Sequence, residues 1–178
     1  MPPSDHAMRV LFLCTGNSAR SQIAEMLLNH RAGGRFLAES AGSAPARQVN
    51  PYAIEALQRH GYSWTGDREP RGLDGLAEQR WDLVITLCDQ AKETCPFFPG
   101  QPAMAHWGMP DPAAVTGTEG EKRRAFDDTL ILLNRRIDRL LALPVGKLSR
   151  SALEKEVEEI VTARTSTPPA ASSPDPAR

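Results

Sequence analysis

The run Arg9-Val10-Leu11-Phe12-Leu13-Cys14-Thr15-Gly16-Asn17-Ser18-Ala19-Arg20-Ser21 constrains the fold more than any other part of the chain. An apolar strand ends in a cysteine, and after the residues from Thr15 to Ala19 an arginine opens a helix. A connection this short must curl, which turns its backbone N–H groups inward as an anion-binding nest. Gly16 and Asn17 are residue types that tolerate the left-handed backbone such a curl needs. The following helix directs the positive end of its dipole at the same point, and Arg20 adds a planar fork able to hold two oxygens. The loop from Thr15, Gly16, Asn17, Ser18 and Ala19 to Arg20 and Ser21 therefore reads as a cradle for a tetrahedral oxyanion. The same field favours the thiolate form of Cys14, which is the nucleophilic form. A buried structural thiol with an unrelated arginine six residues on is the alternative, and the strand, the Gly-Asn pair and the helix argue against it together.

Strand and helix signals alternate along the rest of the chain. Strands are expected at 9–13, 36–40, 82–87 and 103–106. The run over 82–87 is apolar throughout, as for a parallel strand buried on both faces. Helices are expected at 18–30 and after Asn50, with Asn50 as N-cap, Pro51 in the first turn and Gly61 just past the end. A weaker helix is expected over 72–79, and the segment Ala41-Gly42-Ser43-Ala44-Pro45 reads as a turn. A long helix runs from the capping box Thr118-x-x-Glu121 to about Leu143, and a last one from Ser151-x-x-Glu154 to about Ala163. Such alternation implies an α/β fold, a four-stranded parallel sheet with helices on both faces, whose ligands bind beyond the carboxyl ends of the strands. A disordered N-terminus (1–7), one domain (8–148), an additional C-terminal helix (149–164) and a disordered Pro/Ser/Ala-rich tail (165–178) complete the expected organisation.

The chain's 178 residues with 40% hydrophobic content suffice for one full core. A net charge of −1 provides no bulk field for nucleic acid or an anionic membrane, so anion binding must be local. No apolar run approaches the ~20 residues of a membrane span, and no signal-peptide pattern precedes the first strand, so the cytoplasm is the expected compartment. Three cysteines in a reducing compartment favour catalytic or redox thiols over a disulfide framework. The histidines show no metal spacing with the cysteines, and no metal centre is expected.

The other two cysteines fall in Leu87-Cys88-Asp89-Gln90-Ala91-Lys92-Glu93-Thr94-Cys95-Pro96, directly after the third strand. Cys88 should open onto the same end of the sheet as Cys14, although small buried thiols would have the same sequence. A helix over 88–95 would hold the two Cα atoms ~10 Å apart, beyond the ~7 Å a disulfide allows, so joining them requires a segment that unwinds. The segment His106-Trp107-Gly108-Met109-Pro110-Asp111-Pro112 reads as a rigid loop that restricts Asp111 between two prolines. A carboxyl group over a bound oxyanion is pushed toward its protonated form and can serve as a general acid; an ordinary loop aspartate is the alternative.

In sum these residues resemble the arsenate reductases built on the low-molecular-weight protein tyrosine phosphatase fold. The resemblance rests on Leu11 to Ala24, Ser40-Ala41-Gly42, Val49-Asn50-Pro51, Thr86-Leu87-Cys88, Cys95-Pro96, His106-Trp107-Gly108 and Asp111-Pro112, in order across about residues 8–143. The resemblance implies Cys14 as nucleophile, Arg20 as oxyanion clamp, Asp111 as acid, and Cys88 and Cys95 as a thiol relay. It implies arsenate as substrate, no bound organic cofactor, and an external thiol reductant, either thioredoxin or glutaredoxin with glutathione. The chain is expected to act as a monomer. Some members hold a potassium ion; Asn17, Glu25 and Ser40 match that site, residues 65–71 do not, and Arg68 could stand in for the cation. The rival reading is a phosphatase for phosphotyrosine or small phosphoesters, which needs only Cys14, Arg20 and Asp111. That reading leaves Cys88 and Cys95 without a task, and the two tyrosines, Tyr52 and Tyr62, do not fall near Asp111. A non-catalytic anion-binding or redox-sensing module is the third reading.

Overall fold

The computed structural model describes residues 6–64 and 67–162. The tail expected at 165–178, most of the N-terminal segment 1–7, and residues 163–164 of the expected last helix lie outside the described residues.

Four strands, β1 (Met8–Cys14), β2 (Phe36–Gly42), β3 (Leu83–Thr86) and β4 (Ala103–His106), form one parallel sheet in the order β2-β1-β3-β4. The chain leaves β1 to one side and returns to the other, so the order reverses between β1 and β3. Ligand crevices of open α/β sheets form at such a reversal, outside the carboxyl ends of the strands. Register sets Cys14 opposite Gly42 and Leu13 opposite Thr86. Cys14 and Cys88 thus leave the sheet at the same edge of the reversal.

Side chains of β1 alternate between two cores, as strand geometry requires. Val10, Phe12 and Cys14 face a large core with α1 (Arg20–Arg31), α2 (Pro51–Arg59), α4 (Glu119–Ala142) and α5 (Arg150–Thr162). Leu11 and Leu13 face a smaller core with Leu76, Trp81, Phe98 and Ala91 of the short α3 (Asp89–Glu93). Asn50 caps α2 through Tyr52 N, and Thr118 and Glu121 form the reciprocal capping box of α4, both as the sequence predicts.

Several expectations need correction. Residues 72–79 form a chain of turns, not a helix: Gly75 adopts φ 77°, and the Trp81 indole donates to Leu76 O at 2.8 Å, a carbonyl a continuous helix would use. Helix α1 starts at Arg20 and not Ser18, because Asn17 with φ 47° belongs to the loop. Strand β2 runs on through Ala41 and Gly42, where a turn is expected. The last helix is not capped by Ser151 and Glu154; Ala152 N donates to Ser149 Oγ at 3.2 Å. Glu154 and Glu158, one turn apart on α5, instead accept the outward N–H groups of Met104 (3.0 Å) and His106 (2.7 Å). The edge of β4 is thereby covered, which removes a site for unwanted strand pairing.

Candidate active site

The loop between β1 and α1 is held by its carbonyls. Those of Cys14, Thr15, Gly16 and Ser18 accept from Ser43 (3.2 Å), Ala44 (2.9 Å), Ala46 (2.9 Å) and Asn50 (2.8 Å). The N–H groups of Gly16, Ser18 and Ala19 take part in no such turn or loop bond among the described residues. Carbonyls bonded outward and amides left inward are the two halves of one conformation. Ala19, the residue before α1, supplies no side-chain cap, so the positive end of the helix is left for an anion.

Behind the loop, Asn17 is fully buried and all its amide valences are used. Its Nδ2 donates to Ser21 Oγ (2.8 Å) and Ser40 Oγ (2.9 Å), while its Oδ1 accepts from Gln22 Nε2 (3.0 Å) and Arg71 N (2.9 Å). Ser21 Oγ lies 2.9 Å from Cys14 Sγ, and Asn17 N donates to the same sulfur at 3.3 Å. Both are groups that solvate a thiolate. The side chains of Asn17 and Ser21, both expected among the oxyanion-binding residues, therefore stand behind the cradle, while the Asn17 backbone N–H points at the Cys14 sulfur.

The cleft itself encloses about 440 Å³ and is lined by Cys14, Thr15, Gly16, Ser18, Ala19, Arg20, Cys88, Gln90, Asp111 and Ala113. Arg20 is mostly buried and reaches across it, donating to Met109 O at 3.2 Å, with its other nitrogen 3.8 Å from Asp111 Oδ2. The loop carrying Asp111 is fixed from three helices: Arg20 of α1, Arg136 of α4 donating to Trp107 O (2.8 Å), and α5, where Val157 O accepts from the Trp107 indole at 3.0 Å. Asp111 caps the 3-10 turn Pro112–Ala114 by accepting from Ala113 N at 2.9 Å. One carboxylate oxygen is thus engaged and the other faces the guanidinium.

Cys88 lies 3.3 Å from Thr15 Oγ1, and its sulfur accepts from Ala91 N at 3.4 Å as the N-cap of α3. Cys95 follows the other end of α3. It is half-buried and shares a narrow crevice with Cys14, Leu13 and Ala91; burial pushes its thiol above the ordinary pKa. All three cysteines are free thiols gathered at one end of the sheet. Tyr52, set aside as remote from Asp111, borders a neighbouring cleft with Pro112 and Ala113. Gln90 and Arg136 carry no sequence signal that would have placed them at the site.

The residues that match a potassium site are not arranged to receive one. Glu25 is 3% exposed and is already paired with the Arg68 guanidinium, while Ser40 Oγ donates to its other oxygen. The Asn17 carbonyl oxygen is also spent, on Gln22 and Arg71. A cation there would meet Arg68 where it needs an oxygen.

No helix among the described residues is long and apolar enough to cross a membrane. The chain matches the low molecular weight phosphotyrosine protein phosphatase family over residues 9–159, a span that reaches into α5. It is 39% identical over 117 residues to an arsenate reductase of Halalkalibacterium halodurans, covering 66% of this chain and 83% of that protein. Among solved structures, an arsenate reductase from Archaeoglobus fulgidus is similar with TM-score 0.60 and 30% identity, covering 75% of this chain and 99% of the other. A thioredoxin-dependent arsenate reductase from Corynebacterium glutamicum is similar with TM-score 0.53 and 31% identity, covering 76% of this chain and 64% of the other.

Proposed function

The chain belongs to the low molecular weight phosphotyrosine protein phosphatase family, within its arsenate reductases, and from that premise we propose that it reduces arsenate to arsenite through a relay of Cys14, Cys88 and Cys95. One observation carries the reading: Cys88 lines the same cleft as Cys14 and Arg20, where a phosphatase needs no second thiol.

Arsenate enters the cradle, its oxygens taken by the loop amides and the Arg20 fork. The Cys14 thiolate attacks arsenic, and Asp111 protonates the departing oxygen. The Cys88 thiolate then attacks Cys14 Sγ. A sulfur–sulfur bond forms, the sulfur–arsenic bond breaks with its electron pair left on arsenic, and arsenite departs. Two thiols have lost the two electrons that arsenic gained. Cys95 next attacks Cys88 Sγ, forming Cys88–Cys95 and restoring Cys14. Helix α3 lies between the two cysteines, Cys88 as its N-cap and Cys95 one residue past its C-cap, and its caps stand ~9 Å apart, so this last step needs it to unwind. An external thiol reductant closes the cycle. The likeness to a thioredoxin-dependent protein favours thioredoxin, with glutaredoxin and glutathione as the alternative.

Arsenite production with thioredoxin and its reductase, against glutaredoxin with glutathione, tests this, run beside hydrolysis of p-nitrophenyl phosphate. Sustained arsenite release with thioredoxin is expected. Rapid phosphoester hydrolysis with no arsenite from either reductant would instead identify a phosphatase.

The Glu25–Arg68 pair makes a second prediction. Arg68 supplies internally the charge that potassium supplies in some relatives, so exchanging sodium for potassium should leave stability and turnover unchanged. Arg68→Ala leaves the buried Glu25 carboxylate with only Arg71 at 3.7 Å and the Ser40 hydroxyl, and should cost about 1–2 kcal/mol, below the ~3 kcal/mol of a fully broken buried pair because Arg71 remains and the Arg68 guanidinium is a quarter exposed. Potassium should raise the denaturant midpoint of that variant alone; a potassium effect on the unmodified protein would contradict the assignment.

A further inference from the structure

We propose that Thr86, His106 and Asp89 form a latch that holds α3 wound in the dithiol state and thereby sets the reduction potential of the Cys88–Cys95 pair. The proposal rests on the reading that these two cysteines pair during turnover.

His106 ends β4, and its imidazole bridges two elements. Nδ1 lies 2.7 Å from Thr86 Oγ1 at the end of β3, and Nε2 lies 3.0 Å from Asp89 Oδ1, the first residue of α3. A carboxylate only accepts, so Nε2 carries a proton toward Asp89, while Nδ1 pairs with the Thr86 hydroxyl. The sheet end of this chain is rigid: Thr86 is buried, and the His106 backbone is fixed by its bond to Glu158. Room for the ring edge is kept by Gly108, where an added Cβ would sit 2.8 Å from Nε2. The Asp89 end, by contrast, rides on the segment that must move.

Helix α3 has five residues, too few to persist on its own propensity. Its other supports include the Ala91 N–H to Cys88 sulfur bond, the backbone bonds from Lys92 to Cys88 O and from Thr94 to Gln90 O, the Thr94 hydroxyl donating to Gln90 O, the Thr15 hydroxyl donating to Gln90 Oε1 and the burial of Ala91. Pairing Cys88 with Cys95 brings their Cα atoms within ~7 Å, whereas the wound α3 holds its caps, Cys88 and Thr94, ~9 Å apart; closing that gap unwinds the helix and draws Asp89, next to Cys88, away from His106. A contact present in one redox state and absent from the other shifts the equilibrium by its own strength. The latch favours the dithiol; it makes the Cys88–Cys95 disulfide easier for the external thiol to reduce.

The test equilibrates the full chain in thiol–disulfide buffers and counts Cys88–Cys95 disulfide by alkylation and peptide mass. Asp89→Ala should favour the disulfide by about three- to tenfold, as for one exposed hydrogen bond; tenfold is ~30 mV more negative for this two-electron couple. Asp89→Asn keeps an acceptor for Nε2 and should restore the original ratio. In a His106→Ala background, Asp89→Ala should have little further effect. An Asp89→Ala shift of the same size in that background would assign the effect to the helix dipole and overturn the latch, as would an unchanged ratio in the single variant. Failure of Cys88 and Cys95 to pair in any buffer would instead remove the relay itself, an outcome separable from the others.

Discussion

Cys95→Ser is expected to release one arsenite per molecule and stop, its Cys14 and Cys88 joined, whereas Cys88→Ser should stop before any arsenite leaves. Both variants should lower steady-state turnover by about a thousandfold or more, since the members of a relay act as a unit. The split between them follows from what each sulfur faces. Cys88 lines the same cleft as Cys14, beside Thr15, where an arsenic-bearing Cys14 would stand. Cys95 lies beyond α3, half-buried, its thiol held above the ordinary pKa by burial. Its thiolate fraction therefore rises with pH, and decay of the Cys14–Cys88 disulfide should accelerate as pH increases above neutral. Rapid quenching with acid, followed by arsenite counting and disulfide mapping, reads all three quantities. A Cys95→Ser protein that turns over at the unmodified rate, with the same reductant, would show that Cys95 has no place in the cycle.

The gathering of the three thiols at one end of the sheet was legible because its determinants are local. A strand, a short loop and an arginine name the cradle without reference to the rest of the chain, and the parallel alternation puts the next strand's cysteine at the same end. Asn50 and Thr118 were legible for the same reason, each capping its own helix within three residues. What was misread depends on distant partners. Ser151 and Glu154 have the spacing of a capping box, but β4 is an edge strand and claims Glu154 for Met104. Residues 72–79 could wind as a helix, yet Gly75 and the Trp81 indole stop it. The pairing of Glu25 with Arg68 crosses 43 positions, and the Arg136 support of the Asp111 loop crosses 29 to Trp107. Neither spacing has a period that a reading along the chain could detect.

Gly42 is the strongest case of such a non-local demand, and Gly42→Ala is expected to reduce kcat/KM about a hundredfold or more while costing about 2–3 kcal/mol of stability. An added Cβ would lie 2.4 Å from Thr15 O, 2.8 Å from Asn17 N and 3.0 Å from the Thr15 carbonyl carbon, all backbone atoms of the cradle. No side chain can swing aside to relieve this. Either the loop moves or the end of β2 peels from β1, where Gly42 pairs with Cys14 and donates to Arg71 O at 2.9 Å. Moving the loop breaks the bonds from Ala44 and Ala46 that hold its carbonyls outward, and the amides lose their common focus. Oxyanion affinity should therefore fall with turnover, measured by phosphate or arsenate titration, while Cys14 stays open to alkylation. Gly75→Ala is the matched control: its Cβ meets nothing within 4 Å, and only its positive φ is strained, so it should cost about 1 kcal/mol with activity intact. An alanine at 42 that binds arsenate normally would mean the loop tolerates displacement, and a cradle that tolerates displacement cannot owe its affinity to amides held in fixed register.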